Sequence, residues 1–475
     1  MKDKLKQIEP YLYRLEKEAD MQVDADFFVN ETLLEHLEED AITQLRNVTC
    51  LPGIYKKACA MPDCHVGYGF PIGGVAAIDK EKGCISPGGI GFDINCGVRM
   101  LTTNLTKDEV KPKIRELLEA LFKHVPSGVG RGSKLKLTDE ELDQVLDNGV
   151  DWALKKGYGM PKDKENCEEK GNMRSADSKK VSNKAKKRGK DQLGTLGAGN
   201  HFLEVQVVDD MYDELVAKEF GIQKTGQIVV MIHCGSRGLG HQVCSDYLRK
   251  MEDNYPEIMD SLPEKDLIYA PSGSKIAKDY FAAMSAAANF AWTNRYIIAH
   301  EVRQAFKEVF PKSELSTIYD VAHNIAKEEE HEIDGVMRKV WVHRKGATRA
   351  FGPGHKEIPR AYQKTGQPII LPGSMGTGSY LLAGSKTAEE QSFASTAHGA
   401  GRVMSRIAAK KKYDASEVTK ELEKKEIYIK AASMKGISEE APGVYKEIDE
   451  VAKVSHEAGI GTLIVKVRPL GVIKG

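Results

Sequence analysis

From residue 88 to residue 99 the chain reads Gly88-Gly89-Ile90-Gly91-Phe92-Asp93-Ile94-Asn95-Cys96-Gly97-Val98-Arg99, which sets a carboxylate and a thiol three residues apart inside a glycine-rich turn. Glycine has no Cβ, so such a turn lets the backbone approach an ion or a phosphate closely. The spacing is that of a metal site. It is also that of a tight turn around a buried structural cysteine. The rest of the chain separates the two readings, because His65, His201, His233, His323 and His398 all recur among glycines or small residues. A fold that uses them together must draw distant segments into one pocket.

With 475 residues and 41% hydrophobic content the chain can bury a large core. Lys+Arg and Asp+Glu both number 69, so any basic surface for nucleic acid must be local. The eight cysteines (Cys50, Cys59, Cys64, Cys84, Cys96, Cys167, Cys234 and Cys244) form no Cys-x-x-Cys pair. They read as reduced thiols of a cytoplasmic protein. The start is charged, without an apolar signal segment, and no run approaches the roughly 18 apolar residues of a membrane span.

Residues 10–30 alternate as short strands, and a helix is expected through Leu33, Leu34, Leu37, Ile42 and Leu45. This N-terminal element, residues 1–50, carries no assignable motif. From Ile54 to about Leu105 the chain is β-branched and punctuated by glycine, which places Asp63, His65, Asp93 and Cys96 on strand ends and loops. Thr106 suits the N-cap of an amphipathic helix, and Thr138-Asp139-Glu140-Glu141 is a capping box. Residues 156–192 are rich in charge, with the cationic run Asn183 to Lys190, and read as a solvated insertion within the domain or a flexible arm that touches phosphates. Ile228 to Ile232 is a continuous apolar run, as expected of a buried strand delivering His233 at its tip. Ser272 or Ser274 begins a long helix buried through Phe281, Met284, Ala288 and Trp292. Ser395 to Arg402 is read as the opening of a helix that puts Arg402 and Arg406 on one face. The C-terminus alternates again through Leu463, Val465 and Val467.

Two divalent ions about 3.5–4 Å apart need a bridging ligand and several terminal ones. Asp93, Cys96, His201, His233 and His323 supply that set, with Cys96 as the bridge. Histidines with a cysteine suit zinc, whereas a carboxylate with open water positions admits manganese, and the residues leave that choice open. Pro372 to Gly376 and His398 to Gly401 offer backbone N–H groups to phosphates, the second at the expected helix start. His398, beside Arg402 and Arg406, is the histidine suited to attack phosphorus, with Asp63 and His65 as partners that orient or deprotonate it.

Six stretches carry a family resemblance: Met61-Pro62-Asp63-Cys64-His65, Gly91 to Arg99, Gly197 to Glu204, His233-Cys234-Gly235-Ser236-Arg237, Asp320 to Asn324 and Thr396 to Arg402. In order and content they resemble the motif series of the RtcB family of RNA-splicing ligases. The resemblance runs from about residue 55 to Lys474. It implies a single large α+β domain over residues 1–475, with mixed sheets around a central cleft and flanking helices. It further implies a GTP-dependent ligase that joins an RNA 2′,3′-cyclic phosphate or 3′-phosphate end to a 5′-hydroxyl end through a guanylylated histidine, His398. Two Mn²⁺ ions are implied, one on Asp93, Cys96 and His201 and the other on Cys96, His233 and His323. The implied nucleotide contacts are Asn200, Glu204, His323, Asn324, Pro372, Gly373, Ser374, Met375, Ser379, His398, Gly399, Ala400, Gly401 and Lys474. RNA, as tRNA halves or broken ends, and an archease-type activator are the implied partners. Arg237, Lys345, Arg402 and Arg406 are the candidates for RNA phosphates. A binuclear metallophosphoesterase and a non-catalytic RNA-binding subunit are the rival classes.

Overall fold

A computed structural model describes residues 1–475 as an α+β protein built on two large mixed sheets. The first sheet has seven strands in the order Lys6–Glu9, Leu12–Leu15, Asp24–Phe28, Ile54–Tyr68, Phe70–Asp79, Val336–Lys345 and Asn324–Ile333. The second sheet has eight strands: seven in the order Leu315–Ala322, Gly97–Thr106, Gln227–Cys234, Phe202–Met211, Thr462–Lys474, Ser379–Ala383 and Pro368–Leu371, and Tyr428–Ala431, which lies off that path and pairs parallel to Thr462–Lys474. Most pairings are antiparallel, which is why the sequence alternates in so many segments. The central strand Gln227–Cys234 is instead buried along its whole length, and its apolar run follows from that.

Register places the functional residues. Gly97 lies opposite both Cys234 and Ala322, and His233 lies opposite both Val98 and Phe202. Residues 96, 201, 233 and 323 therefore gather at one end of the second sheet, each on or next to a strand terminus. His323 is the single residue between Leu315–Ala322 in one sheet and Asn324–Ile333 in the other. The pocket thus sits on the seam between the sheets.

The long helix Lys275–Val309 is capped by the Ser274 side chain on the Ala277 N–H and buries Phe290, Trp292 and Tyr296. Its Arg295 reaches out of the helix to Asp320, which also pairs with Arg99, and all three side chains are fully buried. Thr106 and Thr138 both form capping boxes, as the sequence indicates. No helix is long and apolar enough to cross a membrane.

Three expectations are corrected. The single helix after residue 30 is two, Glu31–Glu35 and Glu39–Val48. Residues 156–192 are neither a solvated loop nor a free arm: the segment folds into short helices that bury Asp163, Cys167, Glu168, Val181 and Ala185. Arg303 clamps Asp163 with two bonds of 2.7 and 2.8 Å, and Lys186 and Lys190 of the cationic run pair with Asp143 and Asp139. Composition registers the charges but not the partners waiting for them elsewhere in the chain. Finally, Ser395 to Arg402 opens no helix: Ser395–Ala397 is a strand paired with Ala347–Arg349, and the helix begins at Arg406, capped by Ser405.

Candidate metal and nucleotide site

Two donor trios meet at one sulfur. Cys96, His233 and His323 form one, and Asp93, Cys96 and His201 the other; within each trio the ligand atoms lie within 4.8 Å of one another. Cys96 Sγ stands 3.5 Å from His201 Nε2 and 3.2 Å from His233 Nε2, and His233 Nε2 stands 3.3 Å from His323 Nε2. His201 Nε2 is 2.8 Å from Asp93 Oδ2. All five residues proposed as ligands from sequence therefore share one pocket, with the thiol at its centre.

The shells around them are shaped for this. His201 Nδ1 lies 3.1 Å from the Leu196 carbonyl oxygen, which accepts its hydrogen and turns Nε2 toward the cluster. The His323 amide donates to the Cys96 carbonyl at 2.8 Å, fastening one ligand's backbone to the other's. Asn95, at φ 52°, turns the chain between Asp93 and Cys96, its side chain held by Ala288 and Arg295. Burial, reinforced by the Asp93 charge, pushes the Cys96 thiol up to about 11. Burial would also raise Asp93, but the hydrogen bond and charge of His201 hold it well below the usual carboxylate range. His233 and His323 are pushed far below the ordinary imidazole range by burial and by neighbouring imidazoles. Burial would lower His201 too, but the charges of Cys234, Cys96 and Asp93 and its bond to Asp93 hold it well above the ordinary imidazole range, so a cation must displace its proton. Two neutral imidazoles, a third that gives up its proton on binding, a carboxylate and a central sulfur are a donor set that fits two divalent cations.

His398 borders this cluster, its ring centroid 4.9 Å from that of His323. Asp63 Oδ2, on a fully buried carboxylate, accepts the backbone N–H groups of His398 and Gly399 at 2.9 and 3.2 Å. The same oxygen approaches His398 Nδ1 at 2.5 Å, off the line of an ordinary hydrogen bond. His65 does not join them: its Nδ1 bonds to the Asp63 carbonyl at 3.0 Å. The reading of 398–401 as a run of free N–H groups needs revision. With Asp63 holding two and the Pro372 carbonyl taking that of Ala400 at 3.0 Å, three of the four are engaged in shaping the loop.

A cavity of about 160 Å³ opens beside His398 and is lined by Asn200, Phe202, Gly373, Arg402 and Tyr445 among others. Glu204 lies 2% exposed, bonded by Gln206 at 2.8 Å, and burial raises its carboxyl to about 8 against the opposing pull of Gln206 and Lys474. It is a carboxylic acid able to donate near neutrality. Lys474 is tied to the carbonyl oxygens of Gly199 and His201 at 2.9 and 3.3 Å. Asn324 bonds the Asp93 carbonyl and the Gly346 amide, and Ser379 accepts from Gly373, so both brace loops that border the site. Met375 packs into a small apolar cluster with Leu422 and Val444, and Ser374 bonds Thr377 within its own turn.

The basic candidates divide. Arg402 and Arg406 line the cavity, and both reach the buried Glu440, at 3.2 and 3.4 Å. Arg237, at φ 56°, lies over the backbone of Gly197, where even a Cβ would collide with its guanidinium. Lys345 is buried, bonded to the Tyr68 carbonyl and lowered to about 7 by burial, which suits it to bracing rather than to a free phosphate contact. Glu440 and Tyr445 escaped the sequence reading. Tyr445 donates to Glu440, and the Arg402 guanidinium lies over its ring, 5.3 Å from the centroid. Nothing in the local string Glu439-Glu440-Ala441-Pro442-Gly443 sets it apart from an ordinary surface turn.

Comparison with known proteins gives one consistent answer. The family model described as tRNA-splicing ligase RtcB matches residues 44–475. A tRNA-splicing ligase RtcB of Methanococcus maripaludis is 54% identical over 96% of this chain and 95% of its own length. Those of Thermococcus kodakarensis and Archaeoglobus fulgidus are 53% and 52% identical, each over 99% of both chains.

Proposed function

This chain belongs to the RtcB family of tRNA-splicing ligases, and from that premise we propose that it is an RNA ligase acting in tRNA splicing, joining 2′,3′-cyclic-phosphate or 3′-phosphate ends to 5′-hydroxyl ends at the expense of GTP. The observation that carries the reading is the pair of donor trios sharing Cys96, with the His398 ring beside His323. Asp93, Cys96 and His201 would hold one Mn²⁺, and Cys96, His233 and His323 the other. When bound, the ions supply positive charge to the phosphoryl oxygens and keep the Cys96 sulfur as thiolate.

Asp63 fixes the Nδ1 side of His398 and leaves Nε2 as the nucleophile toward the α-phosphorus of GTP, with pyrophosphate as leaving group. Where the RNA end is a 2′,3′-cyclic phosphate, water first opens it to a 3′-phosphate and a 2′-hydroxyl; the guanylate then passes to the 3′-phosphate, the 5′-hydroxyl attacks the activated end, and GMP departs. Glu204, protonated near neutrality, and Lys474 would meet the guanine edge, and Arg402 and Arg406, which line the cavity beside His398, would meet phosphates. A phosphoesterase would need the cations but not this second half of the pocket. RNA repair, an archease-type activator and a cytoplasmic location belong to the same proposal, the last supported by eight unpaired cysteines. The test is incubation with α-labelled GTP and Mn²⁺, followed by denaturation. An acid-labile label on the protein that disappears in His398→Ala is the expected result; label retained by that variant removes His398 from its role, and no label on the native protein removes the ligase reading.

A further inference from the structure

The cavity beside His398 has one lining side chain that this chemistry leaves without a task. His65 is 9% exposed, comes from strand Ile54–Tyr68, and shares the cavity wall with His398, Asn200 and Arg402. Its Nδ1 stands 3.0 Å from the Asp63 carbonyl oxygen. A carbonyl oxygen only accepts, so Nδ1 carries the hydrogen and Nε2 keeps its lone pair. Nε2 has no hydrogen bond within the protein, yet it is not among the sealed, unpartnered polar atoms; it is open to the cavity. Burial lowers this imidazole to about 4 against the pull of its bond to Asp63, so the ring is neutral at working pH. The cavity's arginines suit the acceptor oxygens of phosphates. Nε2 suits the opposite partner, because a phosphate oxygen finds no hydrogen there and a hydroxyl finds an acceptor.

We infer that Nε2 of His65 accepts a hydrogen bond from a substrate hydroxyl, either a ribose hydroxyl of the bound guanine nucleotide or the 5′-hydroxyl of the incoming RNA end. This rests on the ligase reading above. The test compares His65→Asn, which can keep the donor to Asp63 but has no distal acceptor, with His65→Gln, whose amide oxygen can reach the Nε2 position. Two steps are measured: formation of guanylylated protein from GTP, 2′-deoxyGTP or 3′-deoxyGTP with Mn²⁺, and joining of a preformed 3′-guanylylated RNA to a 5′-hydroxyl strand. The expected result is a loss of about tenfold to a hundredfold in one step for His65→Asn, with His65→Gln partly restored. A loss in guanylylation that vanishes with one deoxynucleotide assigns the ribose hydroxyl; a loss confined to joining assigns the 5′-hydroxyl. Wild-type rates in both steps overturn the inference, as does an equal fall for both variants in every arm, which marks a structural role. Failure of the wild-type protein to take up guanylate strikes the ligase reading instead.

Discussion

Single side chains in this pocket carry charge states set by burial more than by sequence. Glu204 ordinarily ionises near 4.5, but in the fold it holds its proton up to about 8. Between those values the native state binds a proton that the unfolded chain has released, so this residue's contribution makes stability fall as pH rises through that window. Glu204→Gln should remove that slope, and melting curves of both proteins from pH 5 to 8 should converge at the acid end and favour the variant at the alkaline end. Cys96, raised to about 11 by burial, runs the other way for ligand binding, because a cation must displace its proton. If the two trios hold Mn²⁺ as proposed, its affinity should rise with pH over the neutral range and Cys96→Ser should bind less metal per chain than the native protein, both read by calorimetry with elemental analysis. Asp63 accepts from two backbone amides in the apolar interior. Asp63→Ala should destabilise the protein by about 1–3 kcal/mol in denaturant titrations, beyond any loss of guanylylation.

Elements matter here through what their ends deliver. Strand Leu315–Ala322 presents His323 only while its register on Gly97–Thr106 holds, and that register is pinned from behind by Asp320 between Arg99 and Arg295. Removing one partner of a buried ion pair leaves an uncompensated charge and typically costs about 3–5 kcal/mol. Asp320→Ala should therefore unfold at clearly lower denaturant and lose metal, although it touches no ligand atom. The 156–192 segment is fastened by a different pair, Asp163 with Arg303. In Asp163→Ala, amide exchange should quicken within that segment well before it does in Gln227–Cys234, and preserved exchange there would show the segment held by its other burials. The segment's folded state was hidden in the sequence because Arg303, the partner of Asp163, lies 140 residues onward in the long helix, while Asp143 and Asp139, the partners of Lys186 and Lys190, lie before the segment. The helix expected at His398 failed for a related reason: glycine-rich punctuation marks a helix start and a strand-to-loop turn alike, and the cross-strand partners Ala347–Arg349 decide between them.

Across the whole molecule, 69 cationic and 69 anionic side chains leave no net pull on RNA. On the proposed reading, binding comes from local groups such as Arg402 and Arg406, and the affinity for RNA ends should fall linearly in log salt, with a shallower slope in Arg406→Ala. The sequence by itself determined the donor set: an Asp and a Cys in one tight turn and histidines in glycine-rich settings are legible because ligand chemistry demands those residue types and glycine's freedom locally. It also determined the caps and the long buried helix, which depend on neighbours within a few positions. Only the tertiary structure decided that Cys96 stands at the centre, that His65 faces the cavity with its acceptor, and that Glu440 gathers two arginines and a tyrosine. Those facts depend on register between strands far apart in the chain and on the desolvation of groups packed together there, and neither quantity is written in any single stretch of residues.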